Sequence, residues 1–392
     1  MTGKRKWHSL IDKVYSMRNL ALAWDAVRAN KGAPGVDQQT IDQFEIRKDQ
    51  ELERLHTELK EDRYRPLPVR RVMIPKTDGR ERPLGVPAVR DRVAQQALRQ
   101  VLEPIFEAIF LDVSHGFRKG RSTKTALKQV WKQIRQGDRL IVEIDFQSFF
   151  DTIDQELVID AVAEEVADGR VLRLIRSILR SGVNTTGGFE ETETGTPQGG
   201  VISPLLANIT LHRLDADLTA RGYRMVRYAD DLVITCGNRR EAEEALDRVR
   251  SVAAGLRLTL HPDKTKIVHI GEGFDFLGYT IKKGFSLYAV PRRKKIESFK
   301  DKIREITRRN RPLNLRMLLS ELNPVVRGWG QHFAKALVKG LFWKLDRWIC
   351  RRIRAFITKH TRNGLGRDLP DGVLFRERGL VSLWRLYLEA RA

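Results

Sequence analysis

Two carboxylates stand side by side at Asp230 and Asp231, between the short β-rich runs Val226-Arg-Tyr-Ala229 and Leu232-Val-Ile234. Neighbouring residues of a strand point to opposite faces, and a buried carboxylate pair is costly unless something neutralises it. A tight turn between two strands pushes both acids out at one sheet edge, where hard oxygen ligands suit Mg²⁺. Alone, such a pair reads most simply as an acidic hairpin turn. Two further segments change that reading. Leu140-Ile-Val-Glu-Ile144 is an apolar run that ends on Asp145 and precedes the aromatic pair Phe149-Phe150. Between the acid sites, Thr194-Gly-Thr-Pro197-Gln198-Gly199-Gly200 runs into Ser203-Pro204 and on to Asn208, a Gly-rich turn opening a helix. A strand-end Asp, a Gly-rich turn and an Asp-Asp hairpin have the makeup of a two-metal phosphoryl-transfer site.

This set, in this order and with Tyr228-Ala-Asp-Asp231 as its third element, resembles a reverse transcriptase. The wider pattern is similar to the bacterial group II intron-encoded reverse transcriptases and maturases, from roughly residue 20 to residue 390. The resemblance implies an α+β right-hand polymerase: fingers, an RRM-like palm with an antiparallel sheet, and a helical thumb or maturase domain. It also implies RNA-directed DNA synthesis, with Asp145, Phe146, Asp230 and Asp231 holding two Mg²⁺ ions, or Mn²⁺ in their place. Intron or template RNA, primer DNA and dNTPs are the implied partners, and a dimer is compatible with it.

The remaining motifs carry both a plain reading and a family one. Lys76 and Arg82 lie six residues apart across a proposed hairpin around Thr77-Asp78-Gly79. They are either solvated surface cations or a point charge and a planar fork converging on a triphosphate. By resemblance to the first fingers block, they contact the incoming nucleotide. His115-Gly-Phe-Arg118-Lys119-Gly-Arg121-Ser122-Thr123 packs three cations among glycines, with Ser122 or Thr123 able to cap a helix. It is a basic helix entry or, as in the family's second block, a template contact through Arg118, Lys119 and Arg121; His115 reads as a structural hydrogen-bonder.

By resemblance, Phe150 lies under the nucleotide sugar and would reject a ribose 2′-hydroxyl by steric clash. Period-2 geometry would turn one of Phe149 and Phe150 inward and the other outward. The family often closes this block with a His, where this chain has Asp154-Gln155. Gln198 and Gly199 would meet the nascent base pair, through a side-chain amide and a close backbone approach. Lys264, with Lys266 as its rival, could neutralise or protonate the leaving pyrophosphate; an exposed cation in a Pro-Asp turn is the equal alternative. Phe274-Asp-Phe-Leu-Gly278-Tyr279 is similar to the block that grips the primer. Leu322-Asn-Pro-Val-Val-Arg327-Gly-Trp329-Gly-Gln-His-Phe333 resembles the family's RNA-binding thumb, with Arg327, Trp329, Arg351 and Arg352 as candidate contacts.

The elements that must position these residues are legible in outline. The 392 residues are 41% hydrophobic, enough for two or three domains with cores. No run of eighteen apolar residues suggests a membrane span. Two cysteines, Cys236 and Cys350, exclude a disulfide framework or a Cys-rich zinc site and fit a reducing cytoplasm. The expected location is a nucleoid-associated ribonucleoprotein in a bacterial cytoplasm. Net charge is +22, and residues 286–392 alone hold 26 Lys/Arg against 9 Asp/Glu. That surplus, carried with four of the seven tryptophans, points to a folded helical domain gripping a polyanion.

The pattern predicts helices over 8–62, a hairpin over 68–88, helix over 90–137, a split βαβ palm over 139–283 and helices from Pro291 on. The expected domains are 1–138 (N-terminal extension and fingers), 139–285 (palm, with fingers-contributing helices near 155–190) and 286–392 (thumb). No HNH-type endonuclease signature follows, so an intron protein of this build would prime from existing DNA ends. A free-standing or CRISPR-associated reverse transcriptase shares every motif. A non-enzymatic splicing factor would have eroded its acids, and an RNA-dependent RNA polymerase fits Phe150 and the thumb motif less well.

Overall fold

The structure is a computed structural model; it describes residues 6–75, 81–196, 199–358 and 369–392. The chain forms two compact units, residues 1–268 and 269–392.

In the first unit, short helices α1 (Ile11–Tyr15), α2 (Met17–Ala29), α3 (Ile41–Ile46) and α4 (Lys48–Lys60) precede the hairpin β1 (Val69–Pro75) and β2 (Glu81–Val86). Helix α5 (Val89–Glu107) then buries one long apolar face that includes Val93, Ala97 and Leu98 against the helices before it. Trp24 of α2 stacks on Phe44 of α3 at 4.5 Å and anchors this cluster. Asp91 of α5 is 1% exposed and accepts from the Tyr64 hydroxyl at 2.7 Å and the Leu67 amide at 2.9 Å. Burial, the largest influence, pushes its carboxyl up to about 6.

The helical pattern predicted over 90–137 breaks after α5. Residues 108–122 form a loop, and α6 (Thr123–Arg135) starts behind a capping box in which Ser122 and Thr125 each bond the other's backbone amide. Glycines and the positive φ of Phe117 (57°) in this stretch defeat helical continuation.

The palm sheet is β3 (Leu140–Ile144), β6 (Arg224–Tyr228), β7 (Asp231–Cys236) and β8 (Lys266–His269), in the order β6-β7-β3-β8. This is the split βαβ order expected from the strand–helix alternation. Helices α7 (Phe149–Thr152), α8 (Gln155–Ala163) and α9 (Gly169–Leu179) follow β3, and α10 (Ser203–Ala220) leads into β6. The hairpin β4 (Val183–Thr185) and β5 (Gly188–Glu190) joins the first hairpin, not the palm, in the order β2-β1-β4-β5. Helix α11 (Arg239–Gly255) connects β7 to the last palm strand and packs on β3 and β7.

In the second unit, β9 (Phe274–Phe276), β10 (Tyr279–Lys283) and β11 (Leu287–Pro291) make an antiparallel sheet, followed by helices α12 (Arg293–Ile306), α13 (Leu315–Phe333) and α14 (Lys339–Thr358). Two short helices, Asp371–Arg376 and Leu383–Glu389, close the described chain. Among the described residues, no helix is long and apolar enough to cross a membrane.

Candidate active site

Strand register brings the three acids together at one end of the palm sheet. Ile144 of β3 pairs with Leu232 of β7, so Asp145 and Asp231 sit one step beyond that pair, facing each other across the two strands. Tyr228 pairs with Asp231, which leaves Ala229-Asp230 as a two-residue turn. Ala229 takes φ 57°, a left-handed conformation that costs an L residue about 1–2 kcal/mol. Phe146 pairs with Leu260, and the Asp145 carbonyl accepts the His261 amide at 2.8 Å. That pairing swings the Pro262–Thr265 turn under Asp145, where the Lys264 ammonium donates to Asp145 Oδ2. Lys266, the rival cation, lies 3.8 Å from Glu143 instead.

These donors are hard oxygens suited in chemistry to Mg²⁺ or Mn²⁺; Phe146 could contribute only its main-chain carbonyl. Among the described residues, no three His, Cys, Asp or Glu side chains gather into a ready-made metal cluster, and the cation that meets the Asp145 carboxylate is the Lys264 ammonium.

Sequence reasoning missed the residue that holds the turn. Arg227 is fully buried, and all five of its guanidinium N–H groups are used. Nε and Nη2 grip Asp215 of α10 at 2.7 and 2.5 Å, Nη1 donates to Asn208 Oδ1 and the Ala229 carbonyl, both at 2.9 Å, and Nη2 reaches Ser114 Oγ at 2.8 Å. Asn208 in turn donates to the Gly116 carbonyl at 2.8 Å. Gly116 is required here, because a Cβ would lie 2.2 Å from the Ala229 nitrogen. The signal was present: a cation inside the otherwise apolar run Met225-Val226-Arg227 needs a buried partner.

On the other side of Asp145, Phe149 and Phe150 lie on α7 and not on a strand, so helical geometry and not period-2 alternation separates them. Ser148, at φ 47°, ends the extended chain and starts that turn. Phe149 is 2% exposed, while half-buried Phe150 walls a cavity of about 330 Å³ with Leu84, Gly85, Asp151 and Thr196. Gly199, at φ 111°, approaches so closely that a Cβ would fall 2.4 Å from the Gly85 carbonyl oxygen. Lys76 and Gln198 lie outside the described residues, and Arg82 is described only by its backbone pairing with Ile74. Asp154 caps α8 through the Leu157 amide and pairs with Arg257, as a cap or surface acid should.

Several residues expected on nucleic acid belong to the fold. Arg118 is 7% exposed: it binds Glu107 at 2.7 Å and the carbonyls of Leu111 and Ser114, and its guanidinium lies over Phe110. Glu107, Phe110, Leu111 and Ser114 converge on it, which its spacing in sequence does not reveal. Arg121 pairs with Asp112 at 2.5 Å, while Lys119 is exposed. His115 is the structural residue expected, bonded to Thr125 and Gln129 at 2.9 and 2.8 Å, and burial pulls its pKa below the usual imidazole value.

Within the second unit, half-buried Trp329 packs between Phe299 at 4.4 Å and Phe333 at 4.8 Å, so its ring serves the fold. Arg352 turns inward onto Thr307 at 3.0 Å. Arg327 and Arg351 are exposed, and Gly278, at φ 84°, forms the turn between β9 and β10.

The sequence matches two families: Reverse transcriptase (RNA-dependent DNA polymerase) over residues 74–281, and Group II intron, maturase-specific domain over residues 296–369. It is 37% identical to Protein YkfC of Escherichia coli over 69% of this chain and 81% of that protein. It is 40% identical to Group II intron-encoded protein LtrA of Lactococcus lactis over 50% of this chain, which spans only 32% of LtrA. The Putative COX1/OXI3 intron 2 protein of Saccharomyces cerevisiae is 29% identical over 68% of this chain and 38% of its own length. A solved Cas6-RT-Cas1–Cas2 complex aligns over 63% of this chain and 42% of that one, at 26% identity and TM-score 0.41. The chain belongs to the reverse transcriptase family, the RNA-dependent DNA polymerases, in its group II intron type with a maturase-specific domain.

Proposed function

We propose that this chain extends a DNA primer on an RNA template by two-metal nucleotidyl transfer, and that its C-terminal unit holds intron RNA to assist splicing and mobility. The observation that carries the reading is the register that sets Asp145 against Asp231, with Asp230 in the adjoining turn. Three carboxylates gathered at one sheet edge offer the hard oxygen donors that a pair of divalent cations takes.

Asp145, Asp230 and Asp231 would hold the ions, which supply a lowered pKa at the primer 3′-hydroxyl and charge neutralisation at the phosphates. The chain's own residues do the rest. Arg227 fixes the turn that presents Asp230. Lys264 sets its Nζ on Asp145 Oδ2, and we assign it to the leaving pyrophosphate. Phe150 and Leu84 wall the cavity that takes the nucleotide sugar, and Gly199 lets the loop lie against Gly85. Lys76, Arg82 and Gln198 complete the nucleotide contacts, while Lys119, Gly278, Arg327 and Arg351 face template, primer and intron RNA. In functional terms the chain divides into fingers (1–138), palm (139–285) and thumb (286–392), working in a bacterial ribonucleoprotein.

The test is Asp230→Asn with Asp231→Asn, assayed for primer extension on an RNA template and for RNA binding. Extension should disappear and binding should persist. Near wild-type extension by the double variant would refute the assignment.

A further inference from the structure

Helix α6, Thr123–Arg135, is amphipathic in an unusual way. Ala126, Val130 and Ile134 face the core, and the opposite face carries Lys124, Lys128, Lys132 and Arg135, all exposed. The helix has no Asp or Glu in its 13 residues. Like charges at i and i+4, as in Lys124, Lys128 and Lys132, destabilise a helix by a few tenths of a kcal/mol per pair.

An ordinary solvated face in this chain is built differently. The outer face of α11 pairs Arg239 with Glu243, Arg240 with Glu244 and Arg250 with Asp247. Among the described residues, none of the four α6 cations has an ion-pair partner, while Arg121 and Arg224 nearby are matched to Asp112 and Asp138. The stripe is uncompensated by design of the sequence.

It also borders a groove. Lys128, Lys132 and Arg135 line a cavity of about 970 Å³ together with Trp131, His115 and Arg224. The groove runs along α6 on its way past Arg224, the first residue of β6, whose other end carries the acidic turn. Four β-strand steps separate the two ends of β6, roughly 13 Å. Four cations spread over roughly 16 Å of helix axis, beside an indole, suit a run of phosphates with a base or sugar resting on the ring.

We infer that the α6 groove is a second nucleic-acid site, which holds an RNA backbone outside the path of primer and template. The choice of RNA rests on the polymerase and maturase reading above. An acidic protein surface is the competing occupant and is decided by the same experiment.

The full chain is compared with Lys128→Glu/Lys132→Glu/Arg135→Glu, and with the matching triple Gln variant, for binding to poly(rU) across a salt series. Primer extension on a short RNA–DNA oligonucleotide duplex reports the polymerase site. All three residues are exposed, so both variants should fold. The slope of log K against log salt should become shallower by about 2, at roughly 0.7 per lost phosphate contact, in both variants, with weaker binding at low salt. Extension on the short duplex should stay at the wild-type rate.

Unchanged affinity and slope would show the stripe to be a solvated face, or a protein-docking one, and overturn the inference. A parallel loss of extension would place the groove on the primer–template path and overturn it equally. If the unsubstituted chain proves inactive yet the triple variants still lose RNA, the polymerase reading fails and the groove stands.

Discussion

Arg227 and Asp215 form a two-pronged ion pair with both side chains at 0% exposure, and the guanidinium that Asp215 orients holds the carbonyl of Ala229, next to Asp230. The pair thus links helix α10 to the acidic turn. Breaking a buried pair by removing one partner typically costs about 3–5 kcal/mol, whereas replacing both by apolar groups can be nearly neutral. Arg227→Met should therefore unfold at markedly lower denaturant. Arg227→Met with Asp215→Leu should regain most of that stability but extend primers poorly, because the Ala229 carbonyl has lost its donor. A restored double variant with wild-type kcat would reduce Arg227 to a stability role.

Sugar selection should reside in Phe150. The ring walls the cavity beside Leu84 and Gly85, while Phe149 is committed to the core. Phe150→Val or Phe150→Ala should raise ribonucleotide incorporation relative to deoxyribonucleotide by roughly tenfold to 200-fold, the range of a single steric contact. Single-nucleotide primer extension with the two substrates measures it. An unaltered ratio in an active variant would return Phe150 to packing.

Asp91 should give the chain an unusual acid-side pH dependence. Its carboxyl is raised from 3.8 to about 6 by burial, so the folded state binds a proton more readily than the unfolded one. Its stabilising effect is complete below about pH 4 and is lost as pH rises through about 6, a change of about 3 kcal/mol at 1.36 kcal/mol per unit. Urea unfolding of wild type and Asp91→Asn from pH 4 to pH 7 should show the wild type losing ground to the variant over that window. Parallel curves would mean that Asp91 is ionised throughout.

In the second unit, Trp329 and Arg327 should separate packing from binding. Trp329 stacks on Phe299 and abuts Phe333, so Trp329→Ala should cost about 3 kcal/mol of stability or more. Exposed Arg327→Ala should change stability by no more than about 0.5 kcal/mol. RNA affinity of the folded protein should follow Arg327 and not Trp329. The reverse pattern, with Trp329→Ala stable and unable to bind RNA, would make the indole a ligand contact.

The sequence by itself determined the chemistry and the order of its parts. Acidic residues at a strand end and in a hairpin are local features: Asp145 follows an apolar run, and Asp230-Asp231 sits between two more, so alternation and turn logic suffice to place them. The same locality made the palm strands, the Ser122 cap and the structural role of His115 legible. Tertiary structure decided which cations serve the fold and which remain outside. Arg118, Arg227 and Arg352 look no different from Lys119, Arg327 and Arg351 along the chain, yet burial assigns the first three to Glu107, Asp215 and Thr307. Their partners are 11, 12 and 45 residues away, a separation that periodicity does not encode. Phe149 and Phe150 make the same point in miniature, since the left-handed Ser148 before them turned a strand pattern into a helix. A carboxylate needs only a strand end to be aimed; an arginine's role depends on what the fold brings to meet it.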